Sequence, residues 1–442
     1  MCGKEHLEEE TFNMSLLLGC IADDVTGASD LSLMLARHGM SVVQILGQPE
    51  SALPPDVDAV VVALKTRTAP VADAVSQSLA AASWLRKQDA RQLYFKYCST
   101  FDSTDEGNIG PVAEALLDFV GSDFAVVCPA FPDNQRTVDQ GRLFVAGELL
   151  SESDMRHHPL TPMTDANLVR VLDRQCRRKG SVGLIPLEAV EQGVGTIRAR
   201  CERLKSDGVR FGIVDALTNQ HLMSIARSFS DSPLITGGSA LAMGLPENYR
   251  RVGLLPERDG PAKLPDLAGP AAVLSGSCST ATQTQVEEMR SQFPSFALDP
   301  IALAEGRQSI DEIIRNATTA LEQKAVLVYS TSLPDVVEET QKQLGKFRAG
   351  AEVELAFASI AVGLVTAGVK KLIVAGGETS GAVANAIGIR RLRIGPEIEP
   401  GVPWTIHLDS PELLVAFKSG HFGSTAFFSK ALGVLPDEIE SG

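Results

Sequence analysis

Two α/β domains, each with a mainly parallel sheet, and an active-site cleft between them are the architecture this sequence predicts. Three observations carry that expectation. Short, almost wholly apolar runs end in polar residues; helical patterns lie between them; and one proline-rich break separates two such series. Strands buried on both faces belong to parallel sheets covered by helices, and so read as continuous apolar runs rather than alternating ones. A chain of 442 residues also exceeds what a single ordinary core holds.

The apolar runs come first. LLLGCIADD is followed by AVVVALKTRT, LYFKYCSTFDS, FAVVCPAFPDN, SVGLIPLE, FGIVDAL and PLITGGSA. The helical patterns lie between most of them. In DLSLMLARHG, Leu31, Met34, Leu35 and His38 share one face, and Gly39 suits a C-cap. VADAVSQSLAAASWLRKQ, rich in alanine, reads the same way. The break is residues 252–270, VGLLPERDGPAKLPDLAGP, with four prolines and no periodicity. It is the expected linker between a first domain at 15–251 and a second at 271–442. The second series runs through AAVLSGSCST, AVLVYSTS and KLIVAGGETSGAVANAIG. Residues 1–14 are polar and acidic, lack the basic and apolar segments of a secretory signal, and are expected to form a flexible extension.

Composition excludes several classes. The net charge of −15 argues against a nucleic-acid surface, which needs a basic footprint. No uninterrupted apolar stretch reaches membrane-spanning length, and no membrane association is expected. The seven cysteines are widely spaced, odd in number and without a C-x-x-C pair, which points to reduced thiols and a cytoplasmic location. His157 and His158 are adjacent and have no third ligand at a telling spacing, so no protein metal site is expected.

Ligands of open α/β sheets bind beyond the carboxyl ends of the strands, and here those ends are polar. Asp23 and Asp24 follow the first run, ahead of Thr26 and Gly27. Two readings stand open: capping of the next helix, or a carboxylate that binds a substrate hydroxyl or takes its proton. Lys65 and Arg67 sit at the next tip, where alternate residues face the same way. Lys96, Ser99, Thr100, Asp102, Ser103 and Thr104 crowd the third. A cation, hydroxyls and a carboxylate together suit a small polyhydroxy acid. Asp133, Asn134, Gln135 and Arg136 follow the next strand, and Arg156, His157 and His158 read as a loop reaching over a substrate.

The second half carries glycine-rich clusters instead. SGSCST at 275–280, GGETS at 376–380 and KSGHFG at 418–423 are built of small residues, the first two between a strand and a helix. Such turns let backbone N–H groups surround a phosphate. None matches a P-loop or a full G-x-G-x-x-G, so a P-loop and a dinucleotide site are both unsupported.

These residues resemble the four-carbon acid sugar kinases. The resemblance covers nearly the whole chain after Met14 and rests on IADDVTGASDL, KYCSTFDSTDEGNIGPV, CPAFPDNQRTVDQGRLFV, MRHHPLTPMTDANLVRVL, GGETSGAVANAIG, RIGPEIEPGVPW and KSGHFGS. It implies ATP-dependent phosphorylation of the 4-hydroxyl of a four-carbon sugar acid, 3-oxo-tetronate ahead of D-threonate or D-erythronate. It further implies that the acid sits on the first domain and ATP on the second, at Ser275, Gly377, Glu378, Thr379, Ser380 and Gly420. Val25 and Ser29 depart from the family's phenylalanine and threonine but leave the carboxylates in place. On this reading Asp24, then Asp102, is the candidate to orient or deprotonate the attacking hydroxyl. Lys96 and Arg67 hold the acid's carboxylate or the transferring phosphoryl group, and Asp23, Ser99, Thr100, Arg136 and His158 line the acid. Mg²⁺ bridges the phosphates mostly through water, with Glu378 within reach through one. The expected partners are the sugar acid and ATP, with self-association into a homodimer left open. A dehydrogenase, an aldolase and a non-catalytic sugar-acid sensor are the rivals.

Overall fold

A computed structural model of the chain describes residues 16–50, 53–157, 161–258, 260–261, 263–332, 339–340, 342–409, 411–420 and 422–433. The expected extension at 1–14 and the candidate His158 lie outside the described residues. The chain divides into two compact units. The first takes residues up to Leu31 and Gln48–Glu257, the second Ser32–Gly47 and Arg258 onward.

Strands are numbered along the whole chain. The sheet of the first unit contains β1 (Leu18–Ala22), β3 (Ala59–Ala63), β4 (Gln92–Lys96), β5 (Ala125–Cys128), β9 (Val182–Ile185), β10 (Phe211–Val214) and β11 (Leu234–Gly237). Each of the seven apolar runs of the first half supplies one of these strands. Their order is β3-β1-β4-β11-β5-β10-β9, and every neighbouring pair is parallel. All residues of β1, β3, β4, β5, β10 and β11 are buried, which is why these stretches read as unbroken apolar runs. Ala22 lies opposite both Ala63 and Lys96. The chain therefore leaves three adjacent strands at one level, and the strand order reverses at β1, the kind of switch point where such sheets take ligands.

A small antiparallel sheet, β6 (Arg136–Asp139), β7 (Arg142–Val145) and β8 (Glu148–Leu149), also belongs to the first unit. Gln140 and Gly141 turn β6 into β7, both with positive φ (50° and 71°), as a two-residue hairpin turn requires. Asp215, fully buried beyond the end of β10, pins that turn. Its carboxylate accepts N–H bonds from Gln140 (2.9 Å), Gly141 (2.8 Å) and Leu187 (3.1 Å). Burial pushes the Asp215 carboxyl up to about 6, against the pull of the three N–H donors.

The second unit orders its strands β13-β14-β12-β15-β18-β17-β16-β2. These are β2 (Val42–Leu46), β12 (Ala271–Ser275), β13 (Ser295–Ala297), β14 (Val326–Tyr329), β15 (Lys371–Ala375), β16 (Arg391–Glu399), β17 (Val402–His407) and β18 (Leu414–Lys418). Pairing is parallel from β13 to β18 and antiparallel from there to β2. Sequence order places residues 32–47 inside the first domain, yet β2 pairs with Arg391–Arg393 of β16 and clusters with the second unit. Its Val42, Val43 and Ile45 are buried there.

Among the described residues one helix, Arg348–Thr366, is long and apolar enough to cross a membrane by length and composition, with a mean hydropathy of 1.5. Glu352 and Glu354 interrupt its apolar sequence. Its Ala356, Phe357, Ile360, Ala361 and Leu364 are fully buried in one cluster with Leu274 of β12 and Val374 of β15. That face makes it a core helix of the second unit.

Asp215→Ala strands three N–H donors in a buried turn, and is expected to cost about 2–4 kcal/mol at pH 7 in chemical denaturation. The folded carboxyl binds its proton more tightly than the unfolded one. This group's contribution to stability therefore falls as pH rises from 3.8 to about 6 and is level above. The wild-type advantage over Asp215→Ala should shrink across that window.

Candidate functional site

At the rim of the first sheet, backbone bonds tie three strand ends together. Asp23 N–H donates to Lys96 O (3.1 Å), and Thr66 and Arg67 N–H donate to Asp23 O (2.9 and 3.2 Å). This frame brings Arg67 among three carboxylates. Its Nε and Nη2 form a fork on Asp23 (3.0 Å each), Nη2 also meets Asp24 Oδ1 (2.8 Å), and Nη1 lies 3.5 Å from Asp102 Oδ2. Burial works against the Arg67 charge, but the bonds to Asp23 and the charges of Asp23 and Asp24 outweigh it and hold its pKa above the ordinary value. Burial also pushes the Asp23 carboxyl up, opposed chiefly by the hydrogen bonds and charge of Arg67.

The three carboxylates are not equivalent. Asp23 is 7 % exposed and spends both oxygens on Arg67. Asp102 is 8 % exposed and accepts the Thr100 hydroxyl (2.6 Å). Asp24 is 28 % exposed; its Oδ1 takes Arg67 and the N–H of Gly27 (2.9 Å), while Oδ2 has no partner among the described residues. The bond to Gly27 is the helix-capping reading of Asp24, and the open Oδ2 leaves the functional one in place. Lys96, buried, donates to Tyr97 O (2.8 Å) and keeps its other donors. A Cβ on Gly27 would fall 2.3 Å from Asp24 Oδ1 and 2.8 Å from Lys96 Nζ, so glycine is needed for both to approach. Cys98 Sγ meets Thr100 Oγ1 at 2.9 Å; burial pushes this thiol up to about 11, so it stays protonated.

The structure thus brings together Asp23, Asp24, Arg67, Lys96, Thr100 and Asp102. Ser99 stands half-buried on the same loop as Thr100. Lys65 is exposed and makes none of these contacts; only Arg67 turns inward, because residues 64–67 leave the strand and lose its alternation. Arg136 lies at the start of β6, donates to Asn134 O and makes no contact with this network. Asp133 is taken by the Asn219 amide (2.9 and 3.0 Å).

In the second unit the three glycine clusters follow β12, β15 and β18, which are neighbours in the sheet. Gly276 and Ser277 N–H donate to Ala375 O (2.9 and 3.2 Å) and Gly376 N–H to Lys418 O (2.9 Å). The loops line one cavity of about 470 Å³ with Gly276, Ser277, Cys278, Ser279, Gly376, Gly377, Glu378, Thr379, Ser419 and Gly420. Two helices begin there, Thr280–Arg290 and Gly377–Ala386. Of the two adjacent glycines, Gly376 makes the turn with a φ of 120°, while a Cβ on Gly377 would meet nothing within 4 Å. Gly276 is required for packing: a Cβ there would lie 2.1 Å from Thr379 Oγ1. The N–H groups of Gly377, Glu378 and Thr379 have no acceptor among the described residues, as expected of a first helical turn. Ser380 N–H is spent on Gly376 O (2.9 Å), and its hydroxyl is buried with no partner among the described residues. This geometry, free N–H groups at a positive helix end, suits an anion.

Ser275 is placed differently from its neighbours. It is fully buried, its hydroxyl is bonded to Thr331 Oγ1 (2.8 Å), and it is not among the cavity-lining residues. The residues after it in SGSCST form the wall instead. Nothing in the sequence marked Thr282 and Gln285, which sit behind the third loop with Lys418, the first residue of the KSGHFG cluster. The only signal of Lys418 was a lysine beside a glycine cluster. Burial holds its pKa down to about 8.

A family model described as a sugar-binding N-terminal domain matches residues 18–245, and one described as a nucleotide-binding C-terminal domain matches 272–428. A 3-oxo-tetronate kinase of Burkholderia multivorans is 53 % identical over 419 residues, spanning 95 % of this chain and 97 % of that protein. The 3-oxo-tetronate kinase of Salmonella typhimurium is 44 % identical over 419 residues, 94 % and 98 % of the two chains. Among solved structures, a Haemophilus influenzae protein superposes with a TM-score of 0.87 at 42 % identity, covering 94 % of this chain and 100 % of its own.

Gly276→Ala forces a methyl group against Thr379 Oγ1, so the first turn of the helix at Gly377 must shift. We expect the variant to stay folded by circular dichroism and to bind ADP at least about tenfold more weakly in calorimetric titration, about 1.4 kcal/mol.

Proposed function

This chain belongs to the four-carbon acid sugar kinase family, and we propose that it transfers the γ-phosphoryl group of ATP to the 4-hydroxyl of 3-oxo-tetronate. Kinase activity on a sugar acid, with ATP as donor, follows from membership. The observation that carries phosphoryl transfer at the level of chemistry is the convergence of three strand-end loops on one cavity with unpaired N–H groups. The near-full-length likeness to 3-oxo-tetronate kinases supports the choice of acid.

In the proposed reaction a bond forms between the 4-oxygen and the γ-phosphorus while the bond to the β–γ bridging oxygen breaks, in line. The hydroxyl proton passes to Asp24 Oδ2, the one oxygen of the Arg67 network that is open among the described residues. Asp23 and Asp102 position Arg67, which in turn positions Asp24; with its donors so committed, Arg67 is a weak candidate for holding the acid's carboxylate. Three carboxyl groups beside Arg67 and Lys96 make the network rich in acceptors, which favours a hydroxyl over a carboxylate as its ligand. Lys96, with donors to spare, is the cation for the transferring group.

Mg²⁺ fits this donor set in one way. Among the described residues Glu378 is the sole carboxylate lining the cavity, and no group of three or more His, Cys, Asp or Glu could hold a metal by itself. Glu378, through a water, would assist an ion held mainly by phosphates, and the bound ion supplies charge neutralisation. All six described cysteines are free thiols, which supports a cytoplasmic setting.

A coupled ADP assay with 3-oxo-tetronate, D-threonate and D-erythronate tests the reading. ADP release fastest with the 3-oxo acid is expected; preference for a 3-hydroxy acid would reassign the substrate, and no ADP with any of them would end the kinase proposal. Asp24→Asn should lower kcat roughly 100- to 10,000-fold with unchanged folding, and wild-type turnover in that variant would remove Asp24 from the base role.

A further inference from the structure

The third loop of the nucleotide cavity owes its shape to groups behind it. Lys418 ends β18 and is 1 % exposed. Its ammonium donates to the carbonyls of Ser419 (3.1 Å), Gly420 (3.3 Å) and Phe422 (3.1 Å) and to the Thr282 hydroxyl (3.1 Å). Thr282 Oγ1 and Ser279 Oγ both donate to the Gly420 carbonyl (2.9 and 2.5 Å). Gln285, on the same helix as Thr282, donates to the carbonyls of Phe422, Gly423 and Ser424 (3.1, 3.0 and 3.0 Å). No carboxylate pairs with Lys418 among the described residues, so the charge is unneutralised where a polyphosphate is to bind.

A trans peptide fixes what this does to the donors. A carbonyl and the N–H of the next residue point in opposite directions. Turning the Ser419 carbonyl onto Lys418 therefore turns the Gly420 N–H away from it. Gly420 lines the cavity, and its N–H has no acceptor among the described residues. The backbone is also seated too closely for another residue, since a Cβ on Gly420 would fall 2.4 Å from Ser277 Oγ.

We propose that Lys418 is the positioning residue of the nucleotide site: by gathering the carbonyls of Ser419, Gly420 and Phe422 it presents the Gly420 N–H to a phosphate without touching the nucleotide. A buried ammonium adds a second effect, since its field is weakly screened there. This inference rests on the kinase reading given above and assigns a role to a group that reading leaves idle.

Steady-state kinetics of Lys418→Met and Thr282→Val, each with ATP varied at saturating acid and acid varied at saturating ATP, test it. Lys418→Met should raise KM for ATP at least about tenfold, the loss of one charge-assisted hydrogen bond, with KM for the acid within about twofold of wild type. Thr282→Val, which removes one contact of the ammonium and one donor to Gly420 O, should raise KM for ATP about threefold. An unchanged KM for ATP in folded Lys418→Met would overturn the proposal, as would equal rises for both substrates, which mark general disruption. Should Lys418→Met not fold, an unchanged KM for ATP in Thr282→Val overturns it alone. A wild-type protein that shows no ADP binding in calorimetry would instead bring down the kinase reading itself, in an arm that contains no variant.

Discussion

A parallel sheet buried on both faces can offer polar groups only where its strands end, and both units of this protein are organised by that constraint. The interior of β1 has no room for a charge, so Asp23 and Asp24 appear at the first residues past Ala22. Parallel register then does the rest. Because β3 and β4 flank β1 at one level, Arg67 and Lys96 arrive beside those carboxylates. In the second unit β12, β15 and β18 release three glycine-rich loops side by side for the same reason. Two different chemistries, one acidic and one donor-rich, come from one geometric rule.

The acidic rim is a balance rather than a simple pair. Removing Arg67 from water is costly, and a single carboxylate would hold it poorly in a partly exposed position. Three carboxylates of graded exposure share it instead, and the grading separates their roles. The most buried, Asp23, fixes the guanidinium by a fork; the most exposed, Asp24, keeps an oxygen for a ligand. A substitution at Asp23 and one at Asp24 therefore disturb different things, although the two are neighbours in sequence.

Much of this was legible in the sequence, and the misses have physical causes. The seven apolar runs became the seven strands of the first sheet because burial on both faces leaves the same signature everywhere in the chain. The glycine clusters were legible because small residues between a strand and a helix have few other uses. Three kinds of feature were not legible. The hairpin Arg136–Val145 rests on Asp215, some seventy residues away, and its strands are partly exposed and lack an apolar run. Ser275 was taken with its neighbours, but alternation along β12 turns its hydroxyl inward to Thr331. Lys418 was read only as part of the third glycine cluster; the fold shows that its partners are carbonyls of its own loop.

The strand β2 has a consequence for how the protein can be divided. Residues 32–47 are separated from the part of the second unit that begins at Arg258 by more than two hundred residues, yet their strand β2 pairs with β16. A chain cut in the proline-rich segment and begun at residue 258 would leave the outer backbone groups of Arg391–Arg393 unpaired. Bare strand edges recruit other edges, so that fragment would tend to aggregate. The second unit is thus assembled from two distant stretches of the gene product, and transplanting it into another protein means carrying the early strand along.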